Sequence, residues 1–185
     1  RVYAAAMRTG HRWLWLALSI ALTQCAPEGD TFIAFASDFQ NYRSWTRFEL
    51  GERDTLGHSV GPRTVYINRL PPPGSSEFPV GTILIKGMES HADPQYWELF
   101  GMAKRGGGFN NAGLRGWEFF LLKIDPVSGL VIEGRGIDPQ GGDGYGGFGS
   151  SGAGCNQCHG TASALARDGL LSEAVFNGTL GANGR

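Results

Sequence analysis

The sequence predicts an α+β fold that is mainly β: an antiparallel sheet of about five strands, with helices at the N- and C-terminal ends. Three observations carry this. Runs rich in β-branched and aromatic residues recur at 64–68, 81–88, 117–124 and 130–134, bounded by Gly, Pro, Asp or Ser. Apolar residues at helical spacing lie near the two ends of the domain. The 185 residues, 41% hydrophobic and 18% charged, suffice for one ordinary core and exclude a disordered chain.

Residues 1–25 read as a targeting segment. Arg8, His11 and Arg12 make a basic start, Met7 is a natural first residue, and residues 13–23 form an apolar run of eleven broken by Ser19 and closed by Thr23. That run is short for a membrane span and right for the core of a signal peptide. Leu22-Thr23-Gln24-Cys25 resembles a lipoprotein cleavage box, with Gln24 where a small residue is expected. Two outcomes stay open: a lipid-anchored Cys25, which would tie the protein to a membrane, or ordinary cleavage nearby. Both send the remaining domain, 26–185, to the periplasm.

That domain opens with a short helix. Ser37 is a candidate cap, Asp38 suits the first turn, and Phe39, Tyr42 and Trp45 fall on one stripe that reads as core packing. Residues 51–63 are polar and turn-rich. A first strand covers 64–68 and stops at Pro71-Pro72-Pro73-Gly74, a stiff surface loop. In the next, 81–88, Thr82, Leu84, Lys86 and Met88 share one face, Ile83 and Ile85 the other. Residues 96–104 fit helix or strand; as a strand, Tyr96, Glu98, Phe100 and Met102 share a face, and Gly106-Gly107-Gly108 ends it. The apolar strand at 117–124 turns at Asp125-Pro126 and Ser128-Gly129 into a short fifth strand. Residues 141–154 hold eight Gly in fourteen and form a loop, read either as a linker or as a wrap around a cofactor edge. Residues 162–167 and 170–176 read as helical turns broken at Gly169, and 177–185 as a frayed tail.

Between the glycine loop and these turns stands Cys155-Asn156-Gln157-Cys158-His159. Two thiols three positions apart, with an imidazole directly after the second, are the attachment pattern of a c-type haem. Each thiol adds across one vinyl group of the porphyrin, and the next residue is carried under the iron as proximal ligand. Cys155 and Cys158 are then the covalent anchors of one haem c, and His159 is the metal ligand. The competing readings are a chance match, a disulfide or half a zinc site. Zinc normally takes four ligands, and the only other Cys is Cys25, in the leader. Only 26 residues follow His159, none of them Met or His. A sixth iron ligand must therefore come from upstream or be absent. Met88 and Met102 suit core packing, and His58 and His91 lie in turn-rich loops, so an open iron position is expected.

Net charge is −1, and the first 25 residues carry three Arg and no acid. The exported domain is more negative still, which gives no footing for nucleic acid or an anionic membrane surface as partner.

Taken in order, these segments resemble the cytochrome P-460 family and its relatives, the beta-type cytochromes c′. The resemblance runs from about residue 42 to 176, through Tyr42-Arg43-Ser44-Trp45, Thr64-Val65-Tyr66-Ile67, Phe78-Pro79-Val80-Gly81-Thr82-Ile83-Leu84-Ile85-Lys86, Gly116-Trp117-Glu118-Phe119-Phe120 and the late haem motif. It implies a mostly antiparallel β domain, a homodimer, and a five-coordinate haem open on its distal side. In cytochrome P-460 proper, a Lys at the place of Lys86 is bonded to the porphyrin rim, and such enzymes oxidise hydroxylamine. Lys86 is thus a candidate third tether. A lone Lys in an apolar strand is costly unless paired, at an edge or chemically used; the alternative is a side chain that snorkels to water. The hydroxylamine-oxidising members carry a Glu beside the substrate. Aligning on Ala103-Lys104 puts Phe100 at that place, an aromatic cap like that of the gas-binding beta-type cytochromes c′. Glu98, two residues away on the same face, is the candidate distal base.

Three functions stay open. One is a periplasmic mono-haem protein that oxidises or binds small nitrogen species (hydroxylamine, nitric oxide) and passes electrons to a partner cytochrome. A second is a non-catalytic binder of nitric oxide or carbon monoxide. The third is a simple electron carrier with Met or His closing the iron. Whether the protein is an enzyme depends on Lys86, Glu98 and Phe100.

Overall fold

The computed structural model describes residues 29–53, 61–139 and 154–181. The leader with Cys25, His58 and nearly all of the glycine-rich loop lie outside the described residues. Strands β1 (Thr46–Arg53), β2 (Gly61–Ile67), β3 (Ile83–Met88), β4 (Glu98–Lys104), β5 (Trp117–Asp125) and β6 (Gly129–Gly136) pair in chain order as one antiparallel meander. Short helices flank it: α1 (Ala36–Phe39), α2 (Cys155–His159), α3 (Ala162–Leu165) and α4 (Glu173–Asn177). No helix among the described residues is long and apolar enough to cross a membrane.

The mainly β, antiparallel character follows the sequence. The strand count does not: six strands stand where about five were expected. The additional one is β1, within a stretch read as helix end and polar turn. It is an edge strand with charges outward, where Arg47 and Glu49 are exposed, and it is bulged between Glu49 and Gly51. Charge and a bulge on an edge protect against stray pairing and also erase the alternation that would reveal the strand. Three smaller expectations change. Ser37 lies inside α1 rather than capping it, and the Asp38 carboxylate accepts the Phe35 N–H at 2.8 Å. Tyr96 belongs to a 3-10 turn, Pro94–Tyr96, and is exposed instead of sharing the β4 face. Thr179 and Leu180 are buried, so the tail is not frayed there; the Thr179 hydroxyl donates to the Val175 carbonyl at 2.7 Å.

Alternation along the strands makes two cores, one on each side of the sheet. On the first, Tyr66, Ile83, Ile85, Leu99, Ala103, Phe120 and Leu122 meet Phe39 and Tyr42 from the N-terminal segment. Gly101 in β4 makes room for this: a Cβ there would press on Phe39, Phe120 and Leu122 at 3.2–3.3 Å. On the second, Val65, Ile67, Leu84, Met102, Trp117 and Phe119 meet Leu114, Leu170, Val175 and Leu180, with Cys155 packed against them. The C-terminal segment that carries the two-thiol motif therefore covers the second face. Each fully buried side chain of this size contributes about 1.5–3 kcal/mol, so the motif's position is held largely by packing.

Candidate functional site

The motif forms helix α2, a single turn. So short a helix does not hold itself together in water; its supports are tertiary. The Asn156 N–H donates to Asp138 Oδ1 at 2.7 Å, giving the first turn a carboxylate partner from beyond β6. The N-cap is Gly154, where a Cβ would collide with that carboxylate. The Asn156 side-chain oxygen accepts from Asn110 Nδ2 at 2.8 Å and from the Leu114 N–H at 3.0 Å. The first variable position of the motif thus locks α2 to the loop before β5.

One turn brings Cys155, Cys158 and His159 to the second face of the sheet. Both thiols are free and partly buried. Burial pushes the Cys155 thiol up to about 12, Asp138 adding to the rise and Lys86 opposing it, so it is held as S–H. The His159 ring lies against Phe119, centroids 5.3 Å apart. Its Nδ1 is 2.7 Å from the Gly169 carbonyl oxygen. A carbonyl only accepts, so Nδ1 carries the proton and donates, which leaves Nε2 with the free lone pair. Burial lowers the imidazole to about 4, the Gly169 carbonyl opposing and Lys86 adding. At neutral pH the ring is uncharged with one nitrogen fixed and the other available. That is the arrangement of metal-ligating imidazoles.

The predicted distal groups lie on the same face of the sheet. Lys86 pairs across the sheet with Phe100, and Met88 with Glu98. The pairs share a face with Leu84 and Met102, so Glu98 and Phe100 lie on the same side, as the alternation predicts. Lys86 Nζ sits 5.0 Å from the centroid of the Phe100 ring. Burial lowers the Lys86 ammonium to about 7, with Arg63 adding to the drop and Cys155, Glu98 and Cys158 opposing it. The motif and the β3–β4 group thus share the second face of the sheet: Cys155 packs against the core that holds Leu84 and Met102, and Lys86, Glu98 and Phe100 alternate onto that same side. Arg63 is a member of this face that sequence reasoning missed. It is 3% exposed and donates from Nε to the Met88 sulfur at 3.4 Å. Its period-2 spacing from Val65 and Ile67 was a signal that could have found it. Met88 spends its sulfur on Arg63, and Met102 is core, as expected of gap-filling methionines. His91 is exposed, with Nδ1 3.0 Å from the Asp93 N–H.

A second polar cluster lies at the other end of this face. Asp168, 9% exposed, accepts from Lys104 Nζ at 2.6 Å, Trp117 Nε1 at 2.9 Å and the Phe78 N–H at 2.8 Å. Burial raises its carboxyl above the usual range while Lys104 and Trp117 pull it down. Glu77 adds a second carboxylate to Lys104 at 3.1 Å. A surface hollow lined by Glu77, Phe78, Pro79, Val80 and Lys104 touches none of the motif residues.

Chemically, the first cluster fits a haem c. It has two unpaired thiols one helical turn apart, an oriented neutral imidazole, and a mostly apolar floor. Among the described residues no three His, Cys, Asp or Glu side chains gather as a cage for a bare metal ion. No family model, no curated protein and no solved structure matches the chain.

Proposed function

We propose that this chain is an exported mono-haem c-type cytochrome of the cytochrome P-460 kind, whose open iron position takes small nitrogen species such as hydroxylamine or nitric oxide. The observation that carries the reading is the oriented imidazole: His159, directly after Cys158, gives its Nδ1–H to Gly169 and keeps Nε2 free beside two free thiols. Cys155 and Cys158 would hold the haem by thioether bonds, and His159 would bind its iron. When bound, the haem would supply a redox-active iron with one position left for a ligand.

The protein's own groups then have separate tasks. Phe100 presents an aromatic wall that excludes water. Glu98, one cross-strand pair further on, is the group able to take protons from a bound N–H or O–H; loss of such a base costs ~100-fold or more in rate. Lys86, lowered to about 7, is in good part a neutral amine near physiological pH and would be the residue that holds a third covalent tether to the haem. Periplasmic location, a homodimer and a partner cytochrome belong to the same proposal.

The test is direct. Purified from the periplasm of a host that matures c-type cytochromes, the protein should hold haem through denaturation, and Cys155→Ser with Cys158→Ser should abolish this. A strongly red-shifted ferrous Soret band, with a haem-bearing peptide containing Lys86, would mark the oxidising form. Recovery of an unmodified Lys86 peptide would remove the third tether.

A second reading is favoured by Phe100, which pairs directly with Lys86 and sits nearer to it in the ladder than Glu98 does. In that reading the protein binds nitric oxide or carbon monoxide without turnover. Hydroxylamine oxidation dependent on Glu98, lost in Glu98→Gln, decides against it. The electron-carrier reading has less support, because the sulfur of Met88 already accepts from Arg63.

A further inference from the structure

We propose that Lys104, Asp168 and Trp117 form a buried device that positions His159, by fixing the turn whose carbonyl holds the imidazole. The inference rests on the reading of His159 as an iron ligand.

The turn is backbone-strained. Asp168 has φ +48, and Gly169 follows with φ +87. A non-glycine residue in the left-handed region costs about 1–3 kcal/mol and persists only where its surroundings over-determine it. Here they do: Lys104 and Trp117, from β4 and β5, both reach Asp168 Oδ1, and the Phe78 N–H reaches Oδ2. Ending helix α3 requires none of this, since Gly169 alone serves, its N–H bonding back to the Ala164 carbonyl at 2.7 Å. What the extra donors fix is the direction of the Gly169 carbonyl, 2.7 Å from His159 Nδ1. The contacts close a ring. Asn156 holds the Leu114 N–H, the Leu114 side chain packs where a Gly169 Cβ would stand, and Gly169 holds the imidazole three residues beyond Asn156. Strain and charge spent 64 residues apart in sequence are explained by the orientation of one ring.

An outer acceptor on the ring N–H fixes its orientation and makes the other nitrogen a stronger donor, and loss of such partners typically costs 10–100-fold in metal affinity. Loosening the turn should therefore weaken the iron–imidazole bond and favour the ferrous state. The experiment uses the holoprotein: ferrous iron–histidine stretching frequency by resonance Raman, and reduction potential, for Asp168→Asn, Lys104→Met, Trp117→Phe and Gly169→Ala. Leu130→Ala, a core cavity on the other face of the sheet, is the control for general destabilisation. The frequency should fall and the potential rise in the first two and in Gly169→Ala, less in Trp117→Phe, and neither should move in the control. A tenfold relative loss of ferric affinity reads as about 59 mV. Trp117→Phe loses one hydrogen bond and keeps the test alive where Asp168→Asn fails to fold. Haem retained with unmoved frequency and potential overturns this proposal alone. A wild-type protein without covalent haem overturns the iron-ligand reading and the positioning role with it.

Discussion

Two lysines lie on one face of the sheet and differ in nearly everything else. Lys104 closes β4 beside Trp117, 5.3 Å above its ring; Lys86 sits inside β3 opposite Phe100, 5.0 Å from its ring. Lys104 meets two carboxylates, Asp168 at 2.6 Å and Glu77 at 3.1 Å. Lys86 has the Arg63 guanidinium as its second-largest influence after burial, and both push it toward the neutral amine. The same residue type over the same kind of ring is a structural cation at one end and a candidate reactive amine at the other. At Lys86 burial is the largest influence and Arg63 adds to it against Cys155, Glu98 and Cys158, whereas Lys104 is bonded to two carboxylates. Apolar surroundings alone make a Lys expensive; a second cation makes it useful.

Removing one cation at a time separates the two. Lys104→Met leaves the buried Asp168 carboxylate without its counter-ion and should cost ~3–5 kcal/mol, read as a lower midpoint in denaturant. Adding Asp168→Asn to it should cost clearly less than the two single changes summed, because the pair acts as a unit. Lys86→Met should cost clearly less than Lys104→Met at pH 7, since burial already disfavours the Lys86 ammonium.

Titration gives the same contrast. Where Lys86 is not covalently tethered, its folded value is about 7 against 10.5 when unfolded. Between those values the unfolded chain holds the extra proton, so stability should rise with pH across that window. The expected gain is roughly 1–3 kcal/mol after allowance for residual exposure, and Lys86→Met should flatten the slope. A pH-independent midpoint in the untethered wild type would erase the distinction between the lysines. The smallest effect belongs to Glu77, whose side chain is 69% exposed. Glu77→Gln should change stability by less than about 1 kcal/mol, showing that Asp168 does the neutralising.

The contrast also marks how far the sequence could be read. Period-2 alternation put Lys86, Leu84 and Met88 on one face and Ile83 and Ile85 on the other, and the two cores bear this out for Leu84, Ile83 and Ile85. Local chemistry of that kind is visible in a window of a few residues. Asp168 carries no local signal, because its partners are at Phe78, Lys104 and Trp117, far off in the chain. Asn156 carries none either, because its partners are Asn110 and Leu114. Strand β1 was hidden by charges that an exposed edge needs. Legibility failed wherever a residue's reason was a distant partner, and held wherever the reason was its own strand or turn.

Helix α2 makes the same point about the motif itself. Five residues form one turn, and its geometry is lent by Asp138, Asn110, Leu114 and Gly169. Cys155-Asn156-Gln157-Cys158-His159 is therefore not a portable cassette. Grafted onto another helix it would carry both thiols and an imidazole, but no acceptor for Nδ1–H and no preference between the two ring tautomers. Excised as a peptide it would have no fixed angle between sulfurs and ring at all. The pentapeptide supplies two thiols and an imidazole; the remote partners fix how they are held.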